Sequence, residues 1–390
     1  MVFWLLGALQ VILAVRVILR LARTGGGVKI AATNALRSES VSVLLPVLNE
    51  AARINICLDG LLAQSKSVAE ILVVDGGSTD GTQSIVADYQ SRDQRLRLID
   101  ASPIPWDWTG KAWGLHVGFK STDVRSQWVL CIDADVSCSP LLVPSLLAHA
   151  ERTGVAIFSV ATRQRLSGWL DALLHPSLLT TLVYRFGIPG KATNKLHQVQ
   201  ANGQCLFGRR ETLSKTGAFR AAQGSLCEDM TIVRRLAECG ETVGFYETEG
   251  LIEVKMYSDA HETWRNWPRS LPTRDPYFGW QEVTGLLEVL LIQSLPLPIL
   301  ILAFVVGAPR WLVAVNLTLG LTRLGVLTGV RRAYERRPLA YWFSPLLDPA
   351  VALRLIVSAL KRRQVWRGRV YARCSGGAFE LVDSPKTTGS

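Results

Sequence analysis

The order of apolar and polar positions divides the chain into a greasy start, a long alternating middle and a second greasy region. Residues 2–19 are apolar apart from Gln10 and Arg16, long enough to span a bilayer core. Arg20, Arg23 and Lys29 follow the run rather than precede it. A cleaved leader has the reverse polarity, so the segment reads as a retained anchor (residues 1–23) with its basic end in the cytosol. From about residue 38 short β-rich runs (41–45, 70–74, 95–99, 128–132, 155–160) alternate with stretches of helical composition (51–63, 82–92, 111–121, 140–152). That alternation predicts an α/β domain over 38–270, and the near-continuous apolar runs predict a parallel sheet covered on both faces. Ligand chemistry in such a sheet belongs at the carboxyl ends of the strands.

The second greasy region, 284–370, has its better spans at 285–306 and 311–330, joined by a Gly307-Ala308-Pro309-Arg310 turn. Glu288 falls near one end, where exposure would be tolerable, and Arg323 falls deeper. The run 339–360 contains Pro345, Asp348 and Pro349 between basic flanks, which favours a re-entrant or interfacial segment over a full crossing. The interrupted run 169–186 reads as an interfacial or core helix, and 371–390 as a polar tail.

Charge and cysteines narrow the chemistry. The net charge of +11 is concentrated beside apolar runs, at Arg16 to Arg23, Arg331 to Arg337 and Lys361 to Arg369. It therefore reads as contact with anionic lipid rather than nucleic acid. The seven cysteines contain no CxxC pair, and no two of the five histidines stand at metal-ligand spacing. Zinc chemistry and a disulfide framework are disfavoured, and a reducing compartment is expected.

Acidic and polar clusters fall where the strands are expected to end. Pro46, Asn49 and Glu50 follow the first, and Asp75-Gly76-Gly77-Ser78-Thr79-Asp80 follows the second. There Asp75 could accept hydrogen bonds from a nucleobase or ribose, and Asp80 is better read as a turn residue. Asp133-Ala134-Asp135 ends a buried run, and two carboxylates so close repel unless a proton or cation intervenes. Mg²⁺ or Mn²⁺ bridging to a diphosphate would relieve that repulsion. Glu228 and Asp229 open a helical stretch. Helix N-terminal acidity and a general base at Asp229 are equally apt readings. Lys111 follows a glycine and could approach a phosphate. Arg265, Trp267 and Arg269 stand just before the greasy region, where they could anchor to a membrane interface or clamp a pyrophosphate beside an acceptor.

Taken as a series, Pro46-x-x-Asn49-Glu50, the run 73–82, Gly110-Lys111, Asp133-Ala134-Asp135, Asn202-Gly203-Gln204, Glu228-Asp229 and the WRxWxR stretch 264–269 resemble the family 2 inverting glycosyltransferases of GT-A fold. The anchors and the closing stretch 365–371 resemble the membrane branch that glycosylates carotenoids, hopanoids and ceramide. The resemblance implies that Asp75 holds the base, with Pro46, Asn49, Glu50 and Lys111 around the nucleotide-sugar. It further implies that Asp133 and Asp135 serve the ribose-diphosphate and the metal, that Asp229, beside Glu228, is the catalytic base, and that Asn202, Gly203, Gln204, Arg265, Trp267 and Arg269 meet pyrophosphate and acceptor. Gly76 stands where many members carry a second aspartate, and no glutamine precedes the WR pair, which argues against a processive polymerase. The expectation is a membrane-embedded, single-addition hexosyltransferase with a UDP-glucose-like donor, a lipid acceptor and no obligate protein partner. Its first acceptor is a carotenoid of the myxol or chlorobactene type, with a hopanoid, a ceramide-like lipid or a polyprenyl phosphate as alternatives. A catalytically silent scaffold retaining the nucleotide pocket is the rival of another class.

Overall fold

A computed structural model of the chain describes all residues except 1, 36, 272–275, 278, 367, 375–376 and 384–390, and leaves out the side chains of 269, 270 and 383. The first four strands are β1 (Val41–Val47), β2 (Val68–Asp75), β3 (Leu96–Asp100) and β4 (Trp128–Ile132). They lie in the order β3-β2-β1-β4, all parallel, and each crossover carries a helix: Ile54–Leu62, Thr82–Arg92 and Gly110–Lys120. Within β1, Val41, Val43, Leu45 and Val47 enter one core and Leu44 the other. The strand is apolar on both faces because helices cover both.

Beyond β4 the sheet departs from the all-parallel expectation. Cys205–Arg209 runs antiparallel between β4 and Ile157–Ala161, Val243–Glu247 continues parallel to the latter, and Lys191–Thr193 closes the edge antiparallel. The result is a mixed eight-stranded sheet. Alternation of apolar positions specifies which face a strand buries, not the direction of its neighbour, so this inversion leaves no mark on the pattern.

Among the described residues, three helical segments are long and apolar enough to cross a membrane: Val2–Thr24, Arg310–Ala333 and Leu339–Leu360. The expected span 285–306 is broken. Trp280–Ser294 and Pro296–Val306 meet at a 51° bend, where a π-helical stretch, Val289–Ser294, runs into Pro296 and Pro298. Glu288 is also not at a tolerant edge. It is fully buried and pairs with Arg16 Nε at 3.0 Å and Arg20 Nη1 at 2.6 Å. Arg323 is buried too, and Asp348 receives its Nε at 2.7 Å and Nη2 at 3.1 Å. Ser177 Oγ and Gln293 Nε2 also donate to Asp348, at 2.5 and 2.9 Å. The polar residues that made these segments doubtful spans therefore pair with partners on other elements, as buried charges must. Trp169–Phe186 is a core helix, with Leu174 and Leu178 packed against Trp267, Val351 and Leu355.

The stretch expected as a polar tail from 371 is in part folded. Arg363–Trp366, Arg369–Arg373 and Phe379–Asp383 form an antiparallel three-stranded sheet. Its aromatics Tyr371 and Phe379 are buried.

Candidate active site

β4 delivers Asp133 and Asp135 to the carboxyl edge of the sheet, as expected for a carboxylate pair placed directly after a buried strand. They open onto a cavity of about 1140 Å³ that also exposes Glu50, Lys111, Glu228 and Asp229. Lys111, at the start of helix Gly110–Lys120, joins the clusters: its Nζ lies 2.8 Å from Asp133 Oδ1 and 2.8 Å from Glu228 Oε1. Burial opposes its charge, yet Asp133, Glu228 and Asp229 hold it protonated well above the usual lysine range. Asp229 is held by backbone donors, with Gly203 N at 2.8 Å from Oδ2 and Met230 N at 2.8 Å from Oδ1. Burial, then the neighbouring Glu228, raises its carboxyl to about 7, against the pull of Lys111 and those two N–H groups. A carboxylate poised near neutrality can take a proton. Helix N-terminal acidity and general-base geometry are thus the same placement, since Glu228 and Asp229 begin the helix Glu228–Glu238.

Asn202-Gly203-Gln204 is the loop that orients Asp229. A Cβ on Gly203 would meet Lys111 Nζ at 2.8 Å, Glu228 Oε1 at 3.2 Å and Asp229 Cβ at 3.5 Å, so a side chain there would have to displace the flexible end of Lys111 from the carboxylates. Gln204 is buried, with Oε1 accepting from Thr162 Oγ1 at 2.5 Å and Asn202 Nδ2 at 2.9 Å. Asn202 and Gln204 thus brace the loop at the cavity wall.

Two carboxylates suit a cation. Asp135 Oδ1 is buried without a hydrogen-bond partner. Burial and the charge of Asp133 raise its carboxyl to about 7. No cluster of three or more His, Cys, Asp or Glu side chains suited to a metal occurs among the described residues. The pair would therefore hold an ion only with oxygens from a ligand, the coordination habit of Mg²⁺ or Mn²⁺ at phosphates.

Residues 42–216 match the family model Glycosyl transferase family 2. The uncharacterized glycosyltransferase EpsJ of Bacillus subtilis (strain 168) is 30% identical over 117 residues, 30% of this chain and 32% of that protein. The lipopolysaccharide core biosynthesis glycosyltransferase LpsC of Rhizobium meliloti (strain 1021) is 30% identical over 132 residues, 33% of this chain and 44% of that protein. The chain thus spans less than half the length of these relatives. Its fold is similar to that of the mannosyltransferase PcManGT from Pyrobaculum calidifontis, solved with GDP-Man and Mn²⁺, at a TM-score of 0.56 and 18% identity over 91% of this chain and 99% of that one.

Within the α/β domain two expected nucleotide contacts do not line the cavity. Asp75 spends its carboxylate on its own turn, accepting from Ser78 N at 3.0 Å, Ser78 Oγ at 2.5 Å and Gln83 Nε2 at 2.5 Å. Asn49, at a φ of 57°, accepts from Thr79 N at 2.8 Å and ties two loops together. Asp80 is the turn residue it was read as, accepting from Ala51 N and Thr82 N at 3.0 Å each. Short polar side chains beside a glycine turn close Asx-type bonds as readily as ligand bonds, and the sequence does not distinguish them. Pro46 and Glu50 do line the cavity, Glu50 paired with Arg53 at 2.8 Å. Arg265 and Trp267 line it as well; Trp267 is also buried against His175, ring centroids 4.1 Å apart. The side chain of Arg269 lies outside the described residues. Sequence reasoning missed Arg53, Thr162, Gln164 and Arg354 on the wall, since none belongs to a motif, and Tyr371, whose stretch 365–371 was read only as part of the membrane-branch resemblance; each reaches the site only through folding.

Proposed function

We propose that the chain transfers a hexose from a nucleotide-sugar, with inversion, to a hydroxyl of a membrane lipid at the cytosolic face. The observation that carries this reading is the composition of that cavity. One end holds Lys111, Asp133, Asp135, Glu228 and Asp229, and another is walled by Leu179, Leu182, Val183 and Phe186 together with Thr322, Gly325, Val326 and Gly329 of the apolar helix Arg310–Val330. A hydroxyl on a long apolar molecule is the acceptor whose reacting and non-reacting parts match those two surfaces. Large apolar side chains exposed on the outer faces, among them Leu5, Ile12, Phe304, Leu321 and Leu353, support immersion in lipid.

In this reading Asp229 removes the proton of the acceptor hydroxyl as its oxygen bonds to the anomeric carbon. The bond from that carbon to the diphosphate oxygen breaks on the opposite face, and the nucleoside diphosphate leaves. Gly203 N and Met230 N fix the carboxylate for in-line approach, and Lys111 brings positive charge beside the departing group. Asp133 and Asp135 would hold Mg²⁺ or Mn²⁺, which when bound neutralises charge on the diphosphate. Among acceptors a carotenoid of the myxol or chlorobactene type ranks first and a hopanoid or ceramide-like lipid second. A polyprenyl phosphate is the second reading, favoured by Arg53, Arg265 and Arg354 on the cavity wall.

Asp229→Asn tests the mechanism. Nucleoside diphosphate release should fall by about 10²-fold or more while donor binding persists, and unchanged turnover refutes the base assignment. Mass spectrometry of pigments and polar lipids from cells with and without the protein tests the acceptor. A glycosylated alcohol supports the first reading, and an acid-labile sugar phosphate supports the second.

A further inference from the structure

The C-terminal three-stranded sheet lies outside the matched residues 42–216, yet it closes one side of the crevice. It is fastened to the glycosyltransferase domain by backbone bonds: Phe379 N donates to Gly224 O at 2.7 Å and Leu381 N to Trp106 O at 2.8 Å. Tyr371 and Phe379 are almost wholly buried at that junction. Two donors of the sheet have no partner among the described residues: one on Gln364, which lines the cavity, and one on Arg369, which is not itself part of the lining but lies against Gly76 and Gly110, which are. Arg369 Nη2 donates to Gly76 O at 3.2 Å, but its Nη1 is buried with no hydrogen-bond partner. That atom stands 3.4 Å from the point where a Cβ on Gly110 would lie. Gln364, on the neighbouring strand, is 7% exposed, lines the cavity and keeps a buried Nε2 without a partner. The register pairs Gln364 with Tyr371 and Trp366 with Arg369, so both donors belong to one small wall.

A buried guanidinium or amide N–H without an acceptor is costly, and native proteins retain such groups mainly where something else completes them. Gly76 follows the end of β2 and Gly110 begins the helix that carries Lys111, so Arg369 stands on the β2 flank of the diphosphate cluster. Asp75, the residue otherwise placed to read a nucleoside, is engaged in its own turn. The sheet does not plug the crevice, because Gln364, Trp366 and Tyr371 form part of the boundary of a cavity that keeps its 1140 Å³.

We infer that the C-terminal sheet is the outer wall of the donor site, and that Arg369 and Gln364 donate hydrogen bonds to acceptor atoms of the nucleoside portion of the nucleotide-sugar. This rests on the nucleotide-sugar reading of the same cavity. The test uses the full chain in detergent with Mn²⁺, titrated with UDP, GDP and inorganic pyrophosphate. Arg369→Lys, which keeps charge and stem but loses the planar fork, should weaken the preferred nucleoside diphosphate about tenfold or more and leave pyrophosphate unchanged. Gln364→Ala should act in the same sense. Hydrogen exchange on the unaltered protein gives an answer that needs no variant: amides of 363–366 and 369–373 should slow when the nucleoside diphosphate is added. Affinities unchanged in both variants, an equal loss for pyrophosphate, or unaltered exchange in a protein that binds the nucleotide would overturn the inference while sparing the donor reading. Failure of the unaltered chain to bind either nucleotide would sink the donor reading and this one with it.

Discussion

At the scale of single residues, two buried carboxylates make the proposed chemistry sensitive to pH. Asp229 and Asp135 both sit near 7, raised by burial first and by a neighbouring carboxylate second. A base with a raised pKa is inactive when protonated, so kcat/KM should climb as pH rises through about 7, and a flat profile from 5.5 to 8 would contradict Asp229 as base. The stability sign follows separately. Each carboxylate binds its proton more tightly folded than unfolded, so the stabilisation is complete below about 4 and is lost as pH rises to about 7. A cation needs the ionised form, so the rise in melting temperature on adding Mn²⁺ should grow over the same interval. Gly203→Ala should abolish most turnover without unfolding the domain, because its Cβ would stand 2.8 Å from Lys111 Nζ and push that ammonium off the carboxylates.

At the scale of elements, the apolar helices are held together by buried polar pairs. Arg323 of Arg310–Val330 meets Asp348 at the start of Asp348–Leu360, and Ser177 and Gln293 complete the carboxylate's shell. Removing one member leaves the other charge buried and unpaired. Arg323→Met should therefore cost about 3–5 kcal/mol. Adding Asp348→Leu should return most of that loss, a sign of coupling that a double-mutant cycle of thermal unfolding in detergent would read. Additive losses would mean that the pair is not a unit. The same elements carry residues of the cavity wall, so disturbance at Arg323 should also lower acceptor turnover.

Across the whole molecule the glycosyltransferase domain and the apolar helices share one cavity rather than lying side by side. Gly325 and Gly329 both line it, and a Cβ on either would meet nothing within 4 Å. Gly325→Phe or Gly329→Phe should fill the apolar end. Turnover with the lipid acceptor should then drop while affinity for the nucleoside diphosphate stays as it was, and an equal loss of both would show that the two ends are not separate subsites.

Much of this protein is determined by its sequence alone. The near-continuous apolar runs, the carboxylates directly after β4, the glycine beside Lys111 and the lengths of the greasy segments act locally, through backbone preference and burial, and each is readable without coordinates. Long-range pairing is not local. That Cys205–Arg209 enters the sheet antiparallel, that Asp75 bonds its own turn, that Glu288 finds Arg16 and Arg20, and that Arg369 returns to Gly76 from 293 positions away all depend on which segments meet. A side chain's partners are fixed only when the chain has closed around it, and for a charged or hydrogen-bonding group the partner decides its role.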